Sequence, residues 1–246
     1  ETAFTVGMAE YVVTGLLTQI ASDMKVPISS AGLLISVYAI SVALIGPLMR
    51  VFTLKVRAQR LLPVLMAIFI ISNIIGMLAS NFPILLLSRL LSASMHAPFF
   101  GVCMSVAAAV APRGKKPQAI ALVQAGLTIA VMIGVPFGSF LGGFANWRFV
   151  FGVMILLAVI TMLGMMKFVP HVALSTEASV KKELKVFKNP HILIVMAIIV
   201  FGYSGVFTTY TFMEPMIHKY APFGIVGLTV CSVSYTHLTL PTNREV

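Results

Sequence analysis

Apolar residues along this chain gather into long runs broken by short polar loops. Runs of about eighteen or more apolar residues are what a hydrocarbon core demands of a helix. The pattern predicts spans over 3–21, 31–49, 61–79, 83–110, 119–145, 149–168 and 192–213, and an eighth that begins near residue 222. At about 1.5 Å per helical residue, each complete span can cross a core of about 30 Å. The predicted class is therefore an all-α integral membrane protein.

The polar positions supply direction. Arg50, Lys55, Arg57 and Arg60 fall between spans 2 and 3, and Arg113, Lys115 and Lys116 between spans 4 and 5. Lys167, Lys181, Lys182, Lys185 and Lys188 fall between spans 6 and 7. The alternate connections carry only Lys25, Arg148 and Lys219. Basic residues favour the cytoplasmic side, so the even-numbered connections and the amino terminus are predicted to face the cytoplasm. Six spans follow one another closely; then comes a longer segment, 170–190, reading PHVALSTEASVKKELKVFKNP. Its basic part suits a short amphipathic helix on the cytoplasmic surface. The predicted organisation is a six-span bundle over 1–169, a basic linker over 170–190 and the start of a second bundle over 191–233. Residues 234–246 (SYTHLTLPTNREV) resemble a translated sequencing-adaptor tail and are left out of the fold.

Composition agrees with the pattern: 59% of residues are hydrophobic and 10% are charged. The net charge of +10 would suit nucleic acid, but its basic residues sit in loops between apolar runs, which removes that reading. Cys103 and Cys231 lie within apolar segments, without metal-ligand or disulfide-framework spacing, and read as packing residues. The chain shows no metal-spaced histidine cluster, GxSxG elbow or phosphate loop, so neither an enzyme nor a cofactor is expected.

Span 5 carries Gly126, Gly134, Gly138, Gly142 and Gly143, with Pro136 among them. Four-residue spacing bares backbone on one helix face, which lets another helix approach closely. The proline removes a backbone donor and invites a bend. This stretch reads either as static packing or as a seam between moving parts.

Ionisable residues inside spans are costly, and they are functional candidates for that reason. Glu10 lies near the middle of span 1, with Gly7 and Thr14 on its face. A carboxylate in low dielectric can exchange a proton near neutral pH. Arg89 lies in span 4, with Ser92 and His96 continuing its face. An arginine there needs an anion, a carbonyl or cavity water. Tyr38, Asn73, Gln124, Tyr203 and Tyr210 complete the polar and aromatic candidates, while Glu214 reads as an interfacial residue. Of these, Thr14, Tyr38, His96 and Gln124 are the candidate cavity residues.

These stretches resemble the amino-terminal half of a major facilitator superfamily transporter, in particular the bacterial twelve-span drug:proton antiporters of the arabinose-efflux and purine-efflux type. AEYVVTGLLTQIASDM (9–24) is similar to that group's first span, and SRLLSASMHAPFFG (88–101) to its fourth-span arginine motif. GVPFGSFLGG (134–143) resembles the span 5 antiporter motif, and NWRFVF (146–151) the start of span 6. The resemblance implies two six-span bundles, alternating access and efflux of a drug, sugar or purine-like solute driven by protons. It places Glu10 and Arg89 in proton coupling and Gly126, Gly134, Pro136, Gly138 and Gly142 in the span 5 hinge and seam. It implies a bacterial inner membrane, the bilayer, protons and a small solute as partners, and a monomer when full length. An uptake symporter on the same fold, or a membrane sensor or scaffold, are the alternatives.

Departures from the family pattern are specific. The loop motif GPLMRVFTLKVRAQR places Arg50 where the superfamily has an aspartate, and Thr18 replaces a proline. Ala93 and Ala97 stand where glycines are usual. Such folds nest inverted three-helix repeats, and VALIGPL (42–48) in span 2 echoes VMIGVPFG (131–138) in span 5.

Overall fold

The computed structural model describes residues 2–53, 56–169 and 189–220. Nearly all of the predicted linker, the start of span 8 and the polar tail lie outside the described residues, as do the side chains of Arg50, Tyr203, Tyr210 and Glu214. Among the described residues there is no strand, and 7 helical spans are long and apolar enough to cross a membrane by length and composition. Span 1 consists of α1 (Thr2–Tyr11), a 3-10 turn (Val12–Leu16) and α2 (Leu17–Asp23). Span 2 consists of α3 (Ile28–Ala31) and α4 (Leu33–Thr53). Spans 3 to 7 are α5 (Ala58–Met77), α6 (Phe82–Val110), α7 (Lys116–Phe144), α8 (Trp147–Phe168) and α9 (Pro190–Tyr220). Each of the seven complete predicted spans is present. Span 2 begins earlier than expected, at Ile28, and α9 runs on to Tyr220 with Pro215 inside it.

Local sequence explains the breaks. Val12, Val13 and Thr14 are β-branched and Gly15 follows them, so this stretch has weak helix propensity. The Thr14 hydroxyl donates to the Tyr11 carbonyl at 2.6 Å, competing with the helical ladder. Span 1 tightens into its 3-10 turn at this point. It ends on Lys25, in the left-handed region at φ 54°. There Val26 N–H reaches the Ala21 carbonyl and Lys25 N–H the Ser22 carbonyl, which closes the helix in a Schellman turn. Asn81 caps α6 by accepting from Ile84 N–H at 3.0 Å, and Asn146 caps α8 by accepting from Arg148 N–H at 3.0 Å.

Two helix pairs organise the bundle: span 1 lies along α7, and α4 lies along α6. The pairs exchange under the relation of span 1 to span 4 and span 2 to span 5, as inverted repeats require. Each pair has a point of close approach. A methyl group placed on Gly138 of α7 would lie 2.6 Å from the Val12 carbonyl oxygen. A methyl group placed on Gly46 of α4 would lie 2.6 Å from Ala97 Cβ of α6. Neither glycine can carry a side chain without moving its neighbour. The alanine at position 97 thus meets its glycine on the facing helix.

The apolar core divides into an upper and a lower cluster. One gathers Val6, Leu65, Phe69, Met95, Phe99 and Met154 with their neighbours. The other gathers Val12, Leu16, Ile20, Leu34, Leu85, Trp147 and Phe151. Along span 1 the first cluster stops at Ala9 and the second starts at Val12. Along α6 the second holds Leu85 and the first resumes at Met95. Glu10, Arg89 and Ser92 occupy the gap between them.

Candidate functional site: a polar cluster between spans 1, 2 and 4

The gap between the two apolar clusters holds a connected set of polar side chains. Arg89 is 2% exposed, on the face of α6 turned toward α4. Its guanidinium carbon lies 4.4 Å from the centroid of the Tyr38 ring, a cation–π contact. The Tyr38 hydroxyl lies 2.9 Å from His96 Nδ1. On the far side of the imidazole, Nε2 lies 3.6 Å from Glu10 Oε2. That distance is an electrostatic contact rather than a hydrogen bond. Phe100 lies against the imidazole, with ring centroids 4.8 Å apart and an interplanar angle of 35°. Arg89 and His96 sit two turns apart on α6, which puts them on one face.

The cluster is not saturated. Among the described residues, Arg89 Nε and Nη2 are buried without a hydrogen-bond partner, while the buried Ser92 hydroxyl interacts with that of Tyr38. Buried donors of this kind are costly unless something meets them. The Arg89 charge interacts with the Glu10 carboxylate electrostatically. Glu10 keeps 24% of its side-chain surface accessible, more than His96, and Arg89, Tyr38 and Ser92 are almost wholly buried. The arrangement can therefore hold or exchange a proton at Glu10 and present unmet donors to an oxygen-bearing group.

The structure brings Glu10, Arg89, Tyr38 and His96 together. It does not add Thr14, whose side chain is buried and turned onto the Tyr11 carbonyl. Gln124 lies on an exposed part of α7, away from this cluster. Asn73 is buried and donates to the Phe69 carbonyl at 2.7 Å, within its own helix. The span 5 residues face span 1. Gly126 meets Ala3, Gly134 meets Tyr11, Gly138 meets Val12, and Gly142 meets Leu16 and Gln19. Pro136 is buried within α7, which stays helical across it, and it removes the donor for the Met132 carbonyl. The seam reaches Val12, two residues from Glu10. Phe207 of α9 lies edge-on to Tyr11 at 5.9 Å, so span 7 touches span 1 beside the same point.

A second polar contact was not anticipated from the sequence. The Asp23 carboxylate, at the end of span 1, accepts from Trp147 Nε1 at 3.0 Å and pairs with the Arg148 guanidinium. Arg148 also donates to the Ala79 carbonyl at 3.0 Å and lies over the Trp147 ring at 4.2 Å. The Trp-Arg pair of the NWRFVF stretch thereby ties span 6 to the ends of spans 1 and 3. The available signal was one acidic residue and one basic residue predicted for the same side of the membrane. Likewise, nothing in one-dimensional spacing joins Tyr38 to His96, 58 positions away.

Comparison with known proteins places this geometry in context. The profile of the Major Facilitator Superfamily matches residues 2–239. The chain is 45% identical over 232 residues to the MFS-type transporter YfhI of Bacillus subtilis (strain 168), covering 94% of this chain and 58% of that protein. It is 38% identical over 218 residues to the inner membrane transport protein YdhP of Escherichia coli (strain K12), covering 88% of this chain and 56% of that one. It is 34% identical over 221 residues to a probable sugar efflux transporter of Helicobacter pylori (strain P12), covering 90% and 56%. The chain thus spans less than two thirds of the length of these relatives. Among solved structures, a bacterial homologue of the lysosomal transporter Spinster, in an inward-facing and unoccupied conformation, superposes with a TM-score of 0.74 at 16% identity. That match covers 95% of this chain and 56% of the other, and it speaks to the fold alone. The spans, the paired seams and these matches together establish that the chain belongs to the Major Facilitator Superfamily of multi-span membrane transporters.

Proposed function

We propose that the chain forms the amino-terminal six-span bundle and the start of the second bundle of a proton-coupled efflux permease. The observation that carries this reading is Glu10, a partly accessible carboxylate within a span, facing His96 and sharing its cluster with the buried Arg89. Glu10 takes up a proton when the cavity faces outward. Protonation removes the negative charge opposite Arg89 and changes which closed arrangement is favoured. Solute binding then competes with the proton, and the solute leaves outward. The seam of Gly126, Gly134, Gly138 and Gly142 with Pro136 permits span 5 to shift along span 1. The substrate class that fits is a small polar solute, sugar-like or purine-like, or an amphipathic drug. The name of the Helicobacter pylori relative supports the sugar-like end of that range. Tyr38 and His96 border the path in this reading. The protein works as a monomer in a bacterial inner membrane, with its basic even-numbered connections in the cytoplasm.

The test is Glu10→Gln in a full-length version reconstituted into vesicles with an imposed pH gradient. Solute expulsion should lose its dependence on the gradient while the protein remains folded. Coupling that survives the substitution sinks the proposal. Solute accumulation in place of expulsion would identify an uptake symporter, and ligand binding without counterflow would identify a sensor.

A further inference from the structure

Tyr38 and His96 do more than line a cavity. They form a polar path from Ser92 and the unmet Arg89 donors to Glu10. The imidazole is clamped for that task. Nδ1 meets the Tyr38 hydroxyl at 2.9 Å, Nε2 faces Glu10 at 3.6 Å, and Phe100 lies against the ring. A neutral imidazole has one donor nitrogen and one acceptor nitrogen, and the tautomer decides which is which. With Glu10 ionised, Nε2–H points at the carboxylate and Nδ1 accepts from Tyr38. With Glu10 protonated, its O–H points at Nε2, so the imidazole proton must sit on Nδ1 and point at the Tyr38 oxygen. The Tyr38 O–H then needs another acceptor, and the buried Ser92 hydroxyl, which already interacts with the Tyr38 hydroxyl, lies beside it.

We propose that Tyr38 and His96 are a proton relay that loads Glu10 from the Ser92 side and resets by tautomer exchange. The inference rests on Glu10 being the proton-carrying group. In the loading step the Nε2–H bond breaks and an O–H bond forms on Glu10. The Tyr38 O–H bond breaks and an Nδ1–H bond forms. A hydronium proton from the outer solution restores the Tyr38 hydroxyl, leaving neutral water, and the hydroxyl turns to Ser92. One proton enters, one carboxylate is neutralised, and the imidazole stays neutral throughout. The Glu10–His96 gap must close by roughly half an ångström for transfer, a motion within reach of one carboxylate rotation. The charged and titratable groups meeting His96 are Glu10 from α1, Tyr38 from α4 and Arg89 from α6 itself. The ionisable residues of α5 and α7 are Arg60 and Lys116, both near helix starts.

The experiment reads the tautomer directly. The chain, labelled with nitrogen-15 at histidine, is placed in lipid nanodiscs, and the His96 signals are assigned by their loss in His96→Asn. From about pH 9 to about pH 5 the proton should move from Nε2 to Nδ1 as Glu10 is neutralised. Glu10→Gln, whose amide cannot take up the proton, should hold one tautomer at every pH. Ser92→Ala removes the second acceptor for Tyr38 and should shift the midpoint of the exchange. A single tautomer across the range in the unmodified chain overturns the relay, as does an imidazolium at low pH or a tautomer exchange with pH that persists in Glu10→Gln. Should Glu10→Gln fail to fold, the titration of the unmodified chain still decides. The proton-coupling reading fails separately, through gradient-independent flux in vesicles.

Discussion

Replacing Gly138 by alanine tests whether the span 5 glycine pattern is a backbone seam or merely permissive composition. The added methyl would lie 2.6 Å from the Val12 carbonyl oxygen, 2.9 Å from Val12 Cγ2 and 3.4 Å from the Val12 carbonyl carbon. The nearest atom belongs to backbone, so no rotamer change relieves it. Reaching ordinary contact requires α7 and span 1 to part by roughly 0.8 Å, against the packing that holds them. Overpacking of this kind costs about 1–3 kcal/mol, and it is set against a gain of about 1 kcal/mol from alanine's helix propensity. Gly164→Ala isolates the second quantity, because nothing lies within 4 Å of a methyl placed there. Gly134→Ala should behave like Gly164→Ala, since its nearest neighbour, Tyr11 Cβ, is at 3.5 Å. Gly142→Ala should fall between, because the atoms it meets at 2.5 and 2.7 Å are the ends of Leu16 and Gln19, which can rotate away. Thermal unfolding in detergent, followed by circular dichroism, ranks the series. At about 2–4 °C per kcal/mol for a chain of this size, Gly138→Ala should melt several degrees below Gly164→Ala. Equal melting temperatures for Gly138→Ala, Gly134→Ala and Gly164→Ala would refute the reasoning.

Two further outcomes follow from contacts elsewhere in the bundle. Gly46→Ala should destabilise the chain by driving a methyl against Ala97 Cβ, and adding Ala97→Gly should restore stability, since the methyl then merely changes sides; a double variant no better than Gly46→Ala alone would rule this out. Asp23→Ala should expose the indole of Trp147, which is buried and is the sole tryptophan of the chain, whereas Asp23→Asn keeps an acceptor for Nε1; red-shifted emission and greater quenching in the first but not the second is the expected pattern, and equal spectra would refute the pairing.

The spans were legible because burying helices in lipid imposes a length and a composition that no loop satisfies, and each of the seven complete predicted runs is a helix. Their ends were less legible. Pro27, with φ −65° and ψ 151°, admits a helix at Ile28 ahead of the apolar run, and Gly32 then separates α3 from α4. The site was legible only as a set of candidates. Glu10, Arg89 and His96 stand out because charge and imidazole are rare in spans, but their grouping depends on which helices touch. Thr14 shows the difference. Its place on the Glu10 face made it a cavity candidate, whereas the β-branched run around it produces a 3-10 turn that spends its hydroxyl locally.

That turn joins the seam to the charge cluster. The Val12 carbonyl, at the start of the turn, is the atom that Gly138 approaches, and Glu10 precedes it by two residues. A 3-10 segment carries poorer hydrogen-bond geometry than the helices on either side, so it is where span 1 yields most easily to displacement. Sliding α7 against Val12 would therefore move Glu10 relative to His96 before it disturbed either apolar cluster. Glu10 thus lies next to the least stiff part of span 1, and the glycine face of α7 packs against that part. Weak helix propensity at 12–15 and glycine spacing at 126–142 look like separate defects in the sequence; in the fold they are the two sides of one contact.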